Sequence, residues 1–172
     1  MITKGLELPA GLHVRPSAES DQTFLLELYQ STRTDLDLLE TSQDFILELK
    51  TSQYKAQTNS YQEQFPNAMF FTIEYYGQAI GRAVVDFGHN EVLLVDLSLV
   101  PEAQGKGLGS AVIRSFMHCS EQASIPMRLS VLQQNFNARA LYERLGFEFE
   151  QKIGLRDYLA YYPRSTITRV SA

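Results

Sequence analysis

The chain has 172 residues, 44% of them hydrophobic and 20% charged, with a formal net charge of −5. That length fits one domain with its own core, and the acidic balance, with no cluster of Lys and Arg, argues against a nucleic-acid binder. A single cysteine, Cys119, excludes an internal disulfide, no apolar run is long enough for a membrane span, and the first residues lack the pattern of a signal peptide, so a cytoplasmic protein is expected.

Residues 11–15 read as a short strand ending at Pro16. Ser20 or Asp21 caps a helix running to about Thr32, with Phe24, Leu25, Leu28 and Tyr29 at helical spacing. A second helix, capped near Ser42, carries Phe45, Ile46, Leu49 and Tyr54 and weakens toward Gln64. Its second half is dense in amides and holds Tyr54, Gln57 and Tyr61. It reads either as a solvated helix face or as a polar wall against a substrate.

Residues 68–75 and 78–87 read as a hairpin turning at Gly77. Residues 91–100 form a third strand with an almost continuous apolar run, which implies cover on both faces. Pro101 breaks it, and glycines follow at 105, 107 and 109. A helix then uses Leu108, Ala111, Val112, Ser115, Phe116 and Cys119. Strand 127–132, a short helix over 135–145 stopped by Gly146, and two closing strands at 147–151 and 155–162 complete the order. Strand, crossover helix and strand imply a parallel pair. The whole is one mixed α/β (α+β) domain over 1–172, with a polar, loose tail expected over 163–172. His13, His89 and His118 are scattered without ligand spacing, so no metal site is expected.

The loop Gln104-Gly105-Lys106-Gly107-Leu108-Gly109-Ser110 lies between a strand and a helix. A nucleotide-hydrolase phosphate loop needs Lys and Ser or Thr side by side, and here Lys106 precedes Gly107. A dinucleotide fingerprint needs a different glycine spacing and an acid on the next strand, and residues 127–132 hold none. A loop that cradles the pyrophosphate of coenzyme A, [QR]-x-x-G-x-[GA], fits at Gln104, Gly107 and Gly109. Glycines let the backbone approach a phosphate, and successive N–H groups at a helix start form an anion concavity. A plain flexible turn remains the competing reading of the loop alone.

Downstream, residues 135–147 have the form N-x-x-A-x-x-L-Y-x-x-L-G-F. The two motifs in this order resemble the GNAT superfamily of acetyl-CoA-dependent N-acetyltransferases, most closely over 91–149. The resemblance implies a central mixed, largely antiparallel sheet with a splayed parallel pair, flanked by about four helices. Acetyl-CoA, the co-substrate, would enter the splay. Backbone groups of Leu97, Ser98 and Leu99 would receive the pantetheine and the acetyl carbonyl. Gln104, Gly105, Lys106, Gly107, Leu108 and Gly109 would hold the pyrophosphate. Asn135 would bond the pantetheine arm, alongside a helix N-cap role. Tyr142 would be the general acid toward the thiolate, against a plain core reading. Family members often carry a glutamate just before the motif asparagine, and this chain has none. Asp96, a charge in an apolar strand, is the candidate base or amine-binding carboxylate, against a structural pair with Arg82. Glu91 and Asp86 are weaker candidates. Tyr54, Gln57, Tyr61, Asp157 and Tyr161 are the expected acceptor wall.

The resemblance thus implies transfer of acetyl to a primary amine by direct attack, with a small-molecule or peptide amine as acceptor. Alternatives are a protein N-terminus or lysine acceptor, or a non-catalytic acyl-CoA-binding module. An aminoacyl-tRNA acceptor is disfavoured by the net charge of −5. A monomer or homodimer is expected.

Overall fold

A computed structural model describes residues 8–164, so most of the tail expected after residue 163 lies outside the described residues. The strands are β1 (Leu12–Pro16), β2 (Met69–Tyr75), β3 (Gln78–Phe87), β4 (Val92–Leu99), β5 (Met127–Leu132), β6 (Glu148–Ile153) and β7 (Arg156–Tyr161). The helices are α1 (Gln22–Thr32), α2 (Gln43–Gln64), α3 (Leu108–Ala123) and α4 (Phe136–Arg144). The seven strands form one sheet in the order β1-β2-β3-β4-β5-β7-β6. Every pairing is antiparallel except β4 with β5, as the crossover through α3 requires.

Local chemistry sets the element ends. The Ser42 hydroxyl accepts from the Phe45 N–H at 3.3 Å and starts α2. Gly107 stands before α3 at φ 78, a left-handed conformation that a side chain would strain. Asn135 caps α4 by accepting from the Ala138 N–H at 3.2 Å.

The main core lies on the α3 and α4 face of the sheet. Leu108, Val112 and Phe116 of α3 recur every four residues and meet Phe71, Val85, Leu94, Leu129 and Leu159. Each such large side chain contributes about 1.5–3 kcal/mol by leaving water. The other face is covered by α1 and α2, where Leu25, Tyr29 and Tyr54 form a smaller cluster. Periodicity misassigned part of α2: Phe45 is exposed and Lys50 is buried. The reason is an ion pair, since the Lys50 ammonium reaches the Asp37 carboxylate at 2.7 Å and its stem packs inward.

Two irregularities of β4 shape the cavities beside it. First, β4 and β5 pair only at Val92–Met127, Leu93–Arg128 and Leu94–Leu129. Beyond that point the strands part. Second, β4 carries a bulge: Leu94 faces Val85, yet Asp96 faces Val84, so Val95 is the extra residue. In a regular strand Leu94 and Asp96 would share a face. The bulge keeps Leu94, Leu97 and Leu99 on the α3 side and turns Asp96 toward α1 and α2.

Candidate active site

The parted strands make a cleft of about 150 Å³, whose walls include Val95, Asp96, Ser130, Asn135, Tyr142 and Arg156. On the α1 and α2 side lies a second cavity of about 160 Å³, bordered by Tyr29, Arg33, Gln57, Arg82, Asp96 and Ser98. Asp96 belongs to both.

The backbone of β4 supplies polar groups to the cleft. The Val100 N–H donates to the Ile80 carbonyl at 2.9 Å, continuing the β3–β4 ladder. Antiparallel alternation then directs the N–H and C=O of Ser98 toward Arg82 on β3. The same groups of Leu97 and Leu99 point into the gap left by β5. Of the three residues expected to offer backbone there, Leu97 directs both groups to the gap, Leu99 has only its N–H left because Gln104 holds its carbonyl, and Ser98 faces β3. Ser98 borders the second cavity instead.

The glycine loop closes one end of β4. The Gln104 amide donates to the Leu99 carbonyl at 2.9 Å and ties the loop to the strand. Gly105 and Gly107 both have positive φ, at 71 and 78. Leu108 begins α3, and the Ala111 N–H is the donor that reaches back to the Gly107 carbonyl. The N–H groups of Leu108, Gly109 and Ser110, in the first turn, therefore lack intrahelical acceptors and carry the helix's positive end. Lys106 is exposed beside them. Such an arrangement of unpaired N–H groups at a helix start suits an anion.

Tyr142 stands on α4, its ring held edge-on by Phe147 at 5.9 Å between centroids. It is both a packed aromatic and a wall of the cleft. Burial pushes its phenol above the ordinary tyrosine range, the Asp96 charge adds to this, and Arg156 opposes it. The hydroxyl therefore keeps its proton at neutral pH. Asn135 caps α4 and also borders the cleft.

Asp96 is paired. The Arg82 guanidinium donates to one of its carboxylate oxygens from Nε at 3.0 Å and from Nη2 at 2.5 Å. Arg82 is itself clamped: Nη2 also donates to the Gln57 side-chain oxygen at 2.9 Å, and the guanidinium lies 6.0 Å from the ring centres of both Tyr54 and Tyr61. The amide-rich half of α2 is thus the wall that holds Arg82. The Tyr61 phenol is pushed up to about 12, chiefly by burial and then by Asp96.

Two residues expected in the acceptor wall are elsewhere. Asp157 is opposite Val131 on β7, on the α3 and α4 face, bonded to Arg139 and to the Gln133 amide. The Tyr161 hydroxyl donates to Glu121 of α3 at 2.6 Å, and its ring packs on Phe147. Strand alternation is the reason: both share the face of Leu159, which is core. Glu91, the weaker candidate base, is tied to Arg128 at 2.6 Å. Asp86 is opposite Leu93, near the far end of β3.

Sequence reasoning passed over Arg156. Its Nε donates to the Ser130 hydroxyl at 2.8 Å and its Nη2 to the Ser130 carbonyl at 2.9 Å. The signal was available: in β7, Asp157, Leu159 and Tyr161 take one face, so Arg156 must take the other. Among the described residues no group of three His, Cys, Asp or Glu could hold a metal ion.

Residues 27–147 match the model of the acetyltransferase (GNAT) family. No protein of curated function matches the chain by sequence. Among solved structures, the PaiA N-acetyltransferase from Thermoplasma acidophilum, in complex with coenzyme A, is 18% identical with a TM-score of 0.68, covering 88% of this chain and 98% of that one. An acetyltransferase from Salmonella typhimurium that modifies the N-terminal serine of a 50S ribosomal subunit protein is 17% identical with a TM-score of 0.63, covering 90% and 96%. The microcin self-immunity acetyltransferase MccE, in complex with acetyl-CoA and AMP, is 14% identical with a TM-score of 0.67, covering 94% and 98%. At these identities the likeness concerns the fold.

Proposed function

Because the chain belongs to the acetyltransferase (GNAT) family, we propose that it transfers acetyl from acetyl-CoA to the primary amine of a small molecule or peptide. The observation that carries this reading is the parting of β4 from β5 after Leu94. It leaves both backbone groups of Leu97 and the N–H of Leu99 unpaired by β5, with Leu97 and Tyr142 on the walls of the same cleft and the glycine loop at the end of the same strand. The fit to the co-substrate is chemical. Pyrophosphate suits the N–H groups at the start of α3, and an extended amide-bearing arm suits an unpaired strand edge. PaiA was solved with coenzyme A bound and MccE with acetyl-CoA bound.

The acceptor enters from the cavity between α1, α2 and the sheet, and Asp96 receives its amine. The neutral amine nitrogen attacks the thioester carbonyl carbon. Backbone N–H groups of β4 stabilise the developing oxyanion. The C–S bond breaks, and the departing thiolate takes the proton of the Tyr142 hydroxyl. The surplus proton on nitrogen leaves through Asp96 and solvent, and the phenol is reprotonated from water. The retained phenol speaks against a module that only binds acyl-CoA, which needs no thiolate acid.

A second acceptor class, a protein α-amine, is favoured by the Salmonella typhimurium neighbour that modifies an N-terminal serine. The small cavity of about 160 Å³ beside Asp96 favours the small acceptor. Release of free CoA thiol, followed over a panel of amines and N-terminal peptides, tests the reading. Calorimetry should show acetyl-CoA binding without any acceptor, and a chain that binds no coenzyme A refutes the proposal.

A further inference from the structure

Among the described residues, Arg156 is a cation without a carboxylate partner. The other arginines that border these two cavities, Arg33 and Arg82, are paired with Asp35 and Asp96. Arg156 has, among the described residues, the Ser130 hydroxyl and carbonyl, which hold Nε and Nη2. Its Nη1 makes no hydrogen bond among the described residues. Ordering a partly buried guanidinium this way costs desolvation that two neutral acceptors repay poorly. The side chain is aimed by β5 and left with Nη1 as an unused donor among the described residues.

Its surroundings say what is missing. Arg156 shares the cleft with Asp96 and Tyr142, and its field reaches both the Tyr142 and the Tyr61 phenols. Groups from β4, β7, α4 and α2 therefore converge at the junction of the two cavities. There one carboxylate and two guanidiniums, Asp96, Arg82 and Arg156, leave one net positive charge. A plain alkylammonium ion is repelled by such a junction, whereas an amine that carries its own carboxylate is received at both ends. Coenzyme A phosphates are poor candidates for the open donor. The glycine loop that suits them begins α3, on the core face of the sheet. Ser130 and Arg156 stand on the opposite face, since Leu129 and Val131 are the β5 residues in that core.

Resting on the acetyl-transfer reading of the cleft, we propose that Arg156 binds a carboxylate adjacent to the acceptor's amine, so that the acceptor is an α-amino carboxylate. Asp96 holds the ammonium end until it loses its proton. Arg156 forms a charge-assisted pair with the carboxylate through Nη1, while Ser130 fixes the plane of the guanidinium. No covalent step involves Arg156.

Matched acceptors test this: leucine against leucinamide, with a diamine and a dipeptide alongside, each assayed by release of CoA thiol. The wild type should prefer leucine over leucinamide in kcat/KM by about tenfold to a hundredfold, the range for a hydrogen bond between charged groups. Arg156→Met should bring that ratio toward one, and Arg156→Lys should keep part of it. Acetyl-CoA affinity, measured by calorimetry, should be the same in all three proteins and so reports that the variants are folded. Equal or faster turnover of the amide, the diamine or the dipeptide by the wild type overturns the carboxylate assignment. So does an Arg156→Met variant that loses leucine and leucinamide turnover equally, because that is the mark of an effect on the thioester. Acetyl-CoA binding with none of these acceptors used also overturns it and leaves the acetyl-transfer reading in place. Loss of acetyl-CoA binding in the wild type overturns the underlying reading instead.

Discussion

Replacing Asp96 with Asn keeps the size of the side chain and removes its charge. Arg82 retains only 5% of its side-chain exposure and Asp96 19%, so the pair is largely withdrawn from water. The variant would leave the Arg82 guanidinium charged and buried, with the Gln57 oxygen at 2.9 Å as its remaining strong acceptor. Breaking a buried pair by removing one partner costs about 3–5 kcal/mol. The amide oxygen of the introduced asparagine can still accept one bond, and the Tyr54 and Tyr61 rings still face the cation, so a loss of about 2–3 kcal/mol is expected. For a chain of this length that corresponds to a fall in Tm of about 5–10 °C. Thermal unfolding without ligand measures it. Arg82→Met combined with Asp96→Asn should cost less than the two single changes added together, because the double variant leaves no buried charge unpaired. An Asp96→Asn variant that melts with the wild type, or strict additivity in the cycle, refutes the reasoning.

Other expectations rest on the same geometry. Tyr142→Phe keeps the ring against Phe147 and removes the proton donor, so kcat should fall by about a hundredfold or more with acetyl-CoA affinity unchanged, as read by steady-state rates beside calorimetry. Gly107→Ala places a side chain at φ 78 in open space, so its cost of about 1–2 kcal/mol is purely conformational; the expected readout is weaker acetyl-CoA binding as the loop reshapes, together with a lower Tm. The Asp21 carboxyl is held well below the ordinary value of 3.8, first by the Arg15 hydrogen bond and then by the Ala18 N–H. Its folded-state value is therefore below the unfolded one. The resulting stability is complete above about pH 4 and is lost as pH falls toward the folded value. Asp21→Asn should flatten that acid limb in pH-dependent chemical unfolding.

Much of the fold is legible in the chain because its signals are local. Ser42 caps α2 through its own third neighbour. Gly107 and Asn135 open their helices by backbone and side-chain chemistry within a few residues. Strands β3 and β5 run over the residues that pattern alone assigns, 78–87 and 127–132. Lys50 escaped because its partner, Asp37, is thirteen residues away, beyond the reach of a periodicity argument.

The candidate site divides along the same line. By itself the sequence determined the glycine loop, the Asn135-to-Phe147 motif and the strand before the loop, since each is contiguous and its chemistry depends on spacing. It also marked Asp96 as a charge out of place. Only the tertiary structure decided what that charge does. The bulge at Val95 rotates Asp96 away from the α3 core and onto Arg82, and a bulge depends on how two strands register against each other. The same alternation across β7 sends Asp157 to Arg139 and leaves Arg156 beside Ser130. Which face a strand residue takes is settled by what its neighbours bury, and those neighbours are distant in the chain.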